Sequence, residues 1–209
     1  MKIFLTLIIF ILTTVVFSQR MTDYVILKPK DKLIKPDTIF GQIDLPKNGI
    51  ILKAKIKTSS GKKKYKIKEV IGFKAGDLYF ASLPYSNGYV FAPRLIKGKI
   101  DLYFYCTGNG GYTYIYNTGN MYVDLISSII ANATKAAMVN ITSYFYIYDY
   151  KTNEYYKIPH SENKFKEVIA DIFKENPEVY RKIINGDYKP NQIPEIVELY
   201  NNSITKYEE

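Results

Sequence analysis

The 209-residue chain carries 29 lysines and arginines against 20 aspartates and glutamates, a formal charge of +9, with one cysteine and one histidine. A single cysteine excludes an intrachain disulfide, and one histidine with one cysteine excludes a histidine- or cysteine-rich zinc set, so no metal and no cofactor is expected. Excess positive charge draws anions, whether anionic lipid, acidic glycan or nucleic acid, and says nothing of fold.

Residues 1–18 carry Lys2, continue through the apolar run from Ile3 to Phe17, and end with Val16 and Ser18 at the −3 and −1 positions of a cut before Gln19. That pattern predicts a signal peptide and an exported protein, periplasmic, envelope-associated or secreted. Its apolar run of about 15 residues is short of the roughly 20 needed to cross a bilayer, and no later stretch qualifies, so no transmembrane span is expected in the mature chain. A lipid anchor at the cut is not expected either, because Gln19 and not a cysteine follows it. What remains is one domain of ordinary size, with a β-rich region at 19–160 and a helical region at 161–209 packed on it.

Taken in order, Tyr24 to Lys28 and Asp37 to Asp44 read as two strands that pair, joined by a polar, proline-containing link; Gly41 inside the second signals a bulge or a close backbone approach. After the Pro46 to Gly49 turn, Leu52, Ala54 and Ile56 alternate with Lys53, Lys55 and Lys57, the clearest inside/outside strand in the chain. Beyond Ser59-Ser60-Gly61 the alternation resumes with Tyr65 and Ile67. Eight lysines, Lys53, Lys55, Lys57, Lys62, Lys63, Lys64, Lys66 and Lys68, are therefore placed mostly on the solvent side of one hairpin. They are read either as an edge-protecting face or as an anion-binding surface. Lysine supplies diffuse charge without the bidentate fork of arginine.

Val70 to Phe73, Leu78 to Leu83 and Tyr89 to Ala92 continue the sheet, with Asn87-Gly88 as a strong hairpin signal. Then Ile100, Leu102, Phe104 and Cys106 face one way and Asp101, Tyr103 and Tyr105 the other, in a strand around which the rest is expected to be arranged. Tyr112 to Tyr116 follows. Met121 to Asn140 has apolar residues at three- and four-residue spacings and reads as a weakly amphipathic helix or an insertion. Tyr144 to Tyr150 and Glu154 to Ile158 form a last hairpin. Ser161, then Asn176-Pro177 with Gly186, then Pro194 mark three helices, with Phe165, Val168, Ile169, Ile172 and Phe173 as the stripe of the first and Ile196, Val197, Leu199, Tyr200 and Ile204 available to the third. The fold class expected is α+β: a largely antiparallel sheet or open barrel followed by about three helices.

Several stretches together resemble a family of small exported proteins of Bacteroidetes, flavobacteria especially, of unknown function. They are the leader ending FSQ, DTIFGQI at 37–43, KIKEVIGFKAGDLYF at 66–80, LIKGKIDLYFY at 95–105, the hairpin ending EYYKI, and FKENPEVYRKIINGDYKPNQIPEIVELYN at 173–201. The family pattern often has a cysteine near the Asn176 to Glu178 turn, which this chain lacks, and residues 117–141 look like a lineage-specific insertion. The resemblance implies an envelope or secreted location and brings no catalytic residue or cofactor.

No catalytic site is expected. Cys106 reads as a small buried side chain and His160 as a capping or surface residue, since neither has the other, or a second histidine, near it in sequence. Asp77, Asp101 and Asp124 are conceivable members of a glycosidase carboxylate pair, which makes glycoside hydrolysis an alternative. The leading expectation is a non-catalytic envelope binding or structural protein, with an envelope glycan, anionic lipid or envelope protein as partner. Tyr103, Tyr105, Tyr112, Tyr114 and Tyr116 offer aromatic contact, and their other reading is sheet core. An anionic-polymer or nucleic-acid module is a further alternative, weakened by scarce arginine and by export.

Overall fold

The computed structural model describes residues 23–31, 33–45, 53–107 and 142–204. The leader at 1–18, the turn at 46–49, the insertion at 117–141, Asp124, and Tyr112, Tyr114 and Tyr116 lie outside the described residues, as does the side chain of Cys106.

The strands are β1 (Asp23–Leu27), β2 (Thr38–Ile43), β3 (Lys53–Thr58), β4 (Gly61–Lys66), β5 (Val70–Ala75), β6 (Leu78–Tyr85), β7 (Gly88–Ile96), β8 (Ile100–Thr107), β9 (Thr142–Asp149) and β10 (Glu154–Lys157). They hydrogen-bond in the order β10-β9-β8-β7-β6-β5-β1-β2-β3-β4, an antiparallel sheet that does not close. The helices α1 (Glu162–Ile169), α2 (Pro177–Asn185) and α3 (Ile193–Ile204) follow. The fold is α+β, as the switch from two-residue to helical periodicity requires. The chain divides into two compact units, Met1–Phe91 and Ala92–Glu209, and the division falls within β7 rather than at the passage from strands to helices.

In the first unit β1 and β2 pair as expected, with Tyr24 opposite Phe40 and Val25 opposite Ile39. The buried side of this meander holds Val25, Ile43, Ala54, Ile56 and Phe73. Gly41 is the close approach its position signalled: a Cβ there would stand 2.8 Å from the Ile56 side chain, so glycine lets β3 lie close against β2. Asp23 ties the same region, its two carboxylate oxygens accepting from the backbone N–H of Ile43 (2.9 Å) and of Gly76 (2.8 Å). The alternation expected to run past Tyr65 stops sooner. Residues Ile67–Glu69 form a 3-10 turn, in which the Glu69 carboxylate accepts from the Lys66 N–H at 2.8 Å.

In the second unit the even-numbered side of β8 receives the helices. Leu102 stands opposite Ile147, and both are buried with Ile100, Phe165, Ile169, Phe173, Ile183 and Val197. Asn176 caps α2 by accepting from Val179 N–H at 3.1 Å, and Gly186 ends it at φ 84, a left-handed position that glycine takes without strain. Ser161 precedes α1 without a side-chain cap bond. Val168 and Leu199, expected in the packed stripes, are 41% and 44% exposed. The buried line runs through Phe165 and Ile169 of α1 and Phe173 of the 3-10 turn after it, Ala170–Phe173, and Val168 lies beside that line; in α3 it runs through Ile193, Ile196, Val197 and Tyr200, and Leu199 lies beside it. The third helix is fixed to the sheet by a side chain that imitates a strand. Asn201 Nδ2 donates to the Ile100 carbonyl (3.0 Å) and its Oδ1 accepts from the Ile100 N–H (3.1 Å). A Cβ at Gly98 would meet that amide, which is why the turn before β8 needs glycine.

Candidate functional site

The β3–β4 hairpin brings lysines together in a way that sequence alternation does not show. Lys53 lies opposite Lys66, Lys55 opposite Lys64 and Lys57 opposite Lys62, three like-charged pairs on one face of two adjacent strands. Residues directly opposite in an antiparallel pair have Cβ atoms about 4.5–5.5 Å apart, and like charges there are destabilising. All six are exposed, and among the described residues none takes part in an ion pair. Lys63 is exposed on the edge strand but stands opposite buried Ile56, on the other face, and Lys68 lies in the 3-10 turn, off the hairpin. Six of the eight lysines thus form one ladder.

Register extends this face. Gln42 pairs with Lys57, and Phe40, two residues earlier on β2, pairs with Tyr24, so the ladder shares its face with Phe40 and Tyr24. Phe40 is 60% exposed and meets Tyr24 edge-on, the ring centroids 6.0 Å apart. The turn that holds the hairpin is set by Thr58, whose hydroxyl donates to the Gly61 carbonyl at 3.0 Å.

The second unit carries the opposite arrangement around Asp101. Its carboxylate is fully buried. Oδ2 accepts from Arg94 Nη1 (2.9 Å), Tyr103 Oη (3.2 Å) and Tyr150 Oη (2.7 Å), and Oδ1 accepts from the Gly98 N–H (3.1 Å). Four donors and one full counter-charge satisfy this anion, so it has the surroundings of a structural tie rather than of a proton-transfer group. Partial burial, then the hydrogen bond to Asp101 and its charge, push the Tyr150 phenol up to about 12. Burial, with Asp101 and Asp149 nearby, raises Tyr148 as well.

Tyr103 and Tyr105 are 2% and 5% exposed, so neither offers the aromatic contact surface considered for it. The reason is crowding across the sheet. Tyr103 stands opposite Tyr146 and edge-on to Tyr155 (5.6 Å), and Tyr105 stands opposite Tyr144. The exposed ring of this cluster is Tyr150, 48% exposed, against Tyr148 at 4.8 Å. Sequence reasoning missed Arg94 and Tyr150; the available signal was an arginine in the otherwise apolar strand β7, which demands a buried anion.

His160 is exposed beside a cavity of about 270 Å³ that is also lined by Phe145, Ile158, Glu162 and Lys189, with the Tyr144 ring 5.5 Å from its own. Glu162 is paired there with Lys189 at 3.0 Å. Among the described residues no three histidine, cysteine, aspartate or glutamate side chains gather as a metal site, and no helix is long and apolar enough to cross a membrane. No family model, curated protein or solved structure matches the chain.

Proposed function

We propose that this is an exported, non-catalytic binding protein of the cell envelope that holds an anionic component on the lysine face of its first unit. The observation that carries the reading is the ladder of three opposed lysine pairs, exposed and without ion pairs among the described residues. Edge protection accounts for the lysines of β4, the last strand of the sheet, but β3 lies between β2 and β4 and has no edge to protect. A bound polyanion offsets the repulsion that the fold leaves in place. Same-face lysines recur roughly every 7 Å along each strand, so the ladder presents a two-row strip of charge to a chain or surface rather than a pocket to a small ion.

The test is retention on immobilised dextran sulfate, a soluble polyanion, across a salt series. The wild-type protein is expected to elute at progressively lower affinity from low to physiological salt. Changing Lys55, Lys57, Lys62 and Lys64 together to Gln is expected to weaken binding on the order of a thousandfold at low salt, at about 1 kcal/mol per lysine near an anionic surface, and by less as salt screens the charges. Unchanged retention of that variant would falsify the reading. Release of sugar or peptide fragments from isolated envelopes by the purified protein would overturn its non-catalytic part.

A further inference from the structure

The loop between β1 and β2 does something its composition conceals. It is closed at its base by the Leu27 N–H donating to the Asp37 carbonyl (2.8 Å). At its tip the Asp31 carboxylate accepts from the Leu33 N–H (3.1 Å), and the Asp31 carbonyl accepts from the Ile34 N–H (3.1 Å). These two bonds fix the backbone of two adjacent aliphatic residues whose side chains face solvent. Leu33 is 93% exposed and Ile34 58%. Isolated apolar residues on a surface are ordinary, but two adjacent ones held outward make an apolar tip with no partner among the described residues of its unit.

Topology decides what surrounds the tip. Because β1, β2 and β3 are successively antiparallel, the β1–β2 loop and the β3–β4 turn lie at the same end of the sheet. The β6–β7 turn reaches that end too, since β5 starts opposite Leu27 and β6 runs back along it. There the Lys28 ammonium sits 4.1 Å from the centre of the Tyr89 ring, which is 45% exposed. Lys30 and Lys35 flank the tip in the loop, and Lys57 and Lys62 form the rung of the ladder nearest this end. Of the acids here, Asp31 is engaged by the loop backbone and Glu69 by the Lys66 N–H, while Asp37 is exposed.

We propose that this end of the first unit docks on an anionic lipid bilayer surface, with Leu33 and Ile34 entering the boundary between headgroups and acyl chains and the lysines around them meeting the headgroups. The assignment rests on the anion-binding reading above and names its ligand. Two aliphatic side chains have no hydrogen-bonding or stacking group with which to recognise a sugar. They are also far too small a patch for a second protein, which requires about 800 Å² from each partner. Shallow insertion in the company of lysines and an interfacial tyrosine is what a bilayer surface rewards.

The chain contains no tryptophan, so Leu33→Trp places a single reporter at the tip. Protein recovered from the export fraction, its N terminus checked by mass, is mixed with vesicles of phosphatidylglycerol and phosphatidylcholine, with vesicles of phosphatidylcholine alone, and with dextran sulfate. A blue-shifted emission is expected with the phosphatidylglycerol vesicles and not with dextran sulfate. Leu33→Ser combined with Ile34→Ser is expected to lower co-sedimentation with those vesicles roughly tenfold or more, leaving the melting temperature and dextran sulfate retention unchanged. An unshifted tryptophan, or undiminished co-sedimentation of the double variant, with dextran sulfate still bound overturns the membrane assignment and leaves the anion-binding reading standing. Loss of both kinds of binding in the parent protein overturns both. An equal shift in dextran sulfate would give the tip to a polysaccharide instead.

Discussion

The lysine ladder of the first unit and the Asp101 cluster of the second solve the same problem, charge on a sheet face, in opposite ways. Around Asp101 each carboxylate oxygen is hydrogen-bonded and Arg94 supplies the counter-charge, so the group can be removed from water. On the hairpin six ammonium groups face one another in pairs and stay in water, without an anion among the described residues to separate them. A charge whose partners the fold supplies holds the fold together. A row of charges with no ion pair among the described residues is left to the solvent.

The comparison breaks first at Asp101. Asp101→Ala removes the buried acceptor that Arg94, Tyr103 and Tyr150 share, which is expected to cost about 3–5 kcal/mol in urea unfolding. An unaltered midpoint would mean that the cluster is ornamental. On the hairpin the contrast lies between neighbours in one strand. Ile56→Ala is expected to cost about 2–4 kcal/mol, whereas threonine at Lys53, Lys55 and Lys57 together is expected to change stability by about 0.5 kcal/mol or less, or to raise it by relieving repulsion. A large loss from the lysine changes would invert the assigned faces. The finest test is alkaline titration. Burial, then the hydrogen bond to Asp101 and its charge, push the Tyr150 phenol up to about 12 from its ordinary value of 10.0. The protonated form is therefore the one the fold favours, and its contribution is whole below about pH 10 and fades as pH climbs toward 12. Tyr148 and Tyr200 are raised by burial and nearby carboxylates as well, so tyrosinate absorbance is expected to show a group of late-titrating phenols from which Tyr150→Phe removes one, and that variant is expected to lose about 1 kcal/mol at neutral pH and none of the ladder's affinity for polyanions.

Which of these features can be read without coordinates depends on how far apart their partners lie. The alternation of Lys53, Ala54, Lys55 and Ile56 states its own inside and outside, because strand period is a local property. Pairing of Lys53 with Lys66 needs only a short hairpin turn, yet the opposition of like charges appears only once the register is known. Asp101 takes donors from two, three, seven and 49 positions away, and the last of these, from Tyr150, has no local signature. Leu33 and Ile34 are too few to show a period, and sit in a link that reads as polar. Tyr103 and Tyr105 are ambiguous by chemistry, since tyrosine suits a dry core and a wet surface equally well, and burial alone separates the two.

The amide of Asn201 sets a schedule for the second unit. The backbone it grips, at Ile100, is made 101 residues earlier. At synthesis rates of about 5–20 residues per second, roughly 5–20 s pass between the two ends of that contact. Throughout that interval Leu102 and Ile147, once made, lack the complete α3, whose Ile193, Ile196, Val197 and Tyr200 share their cluster. The apolar side of the nascent second unit is therefore only partly covered, by α1 and α2, until almost the last helical turn has been made.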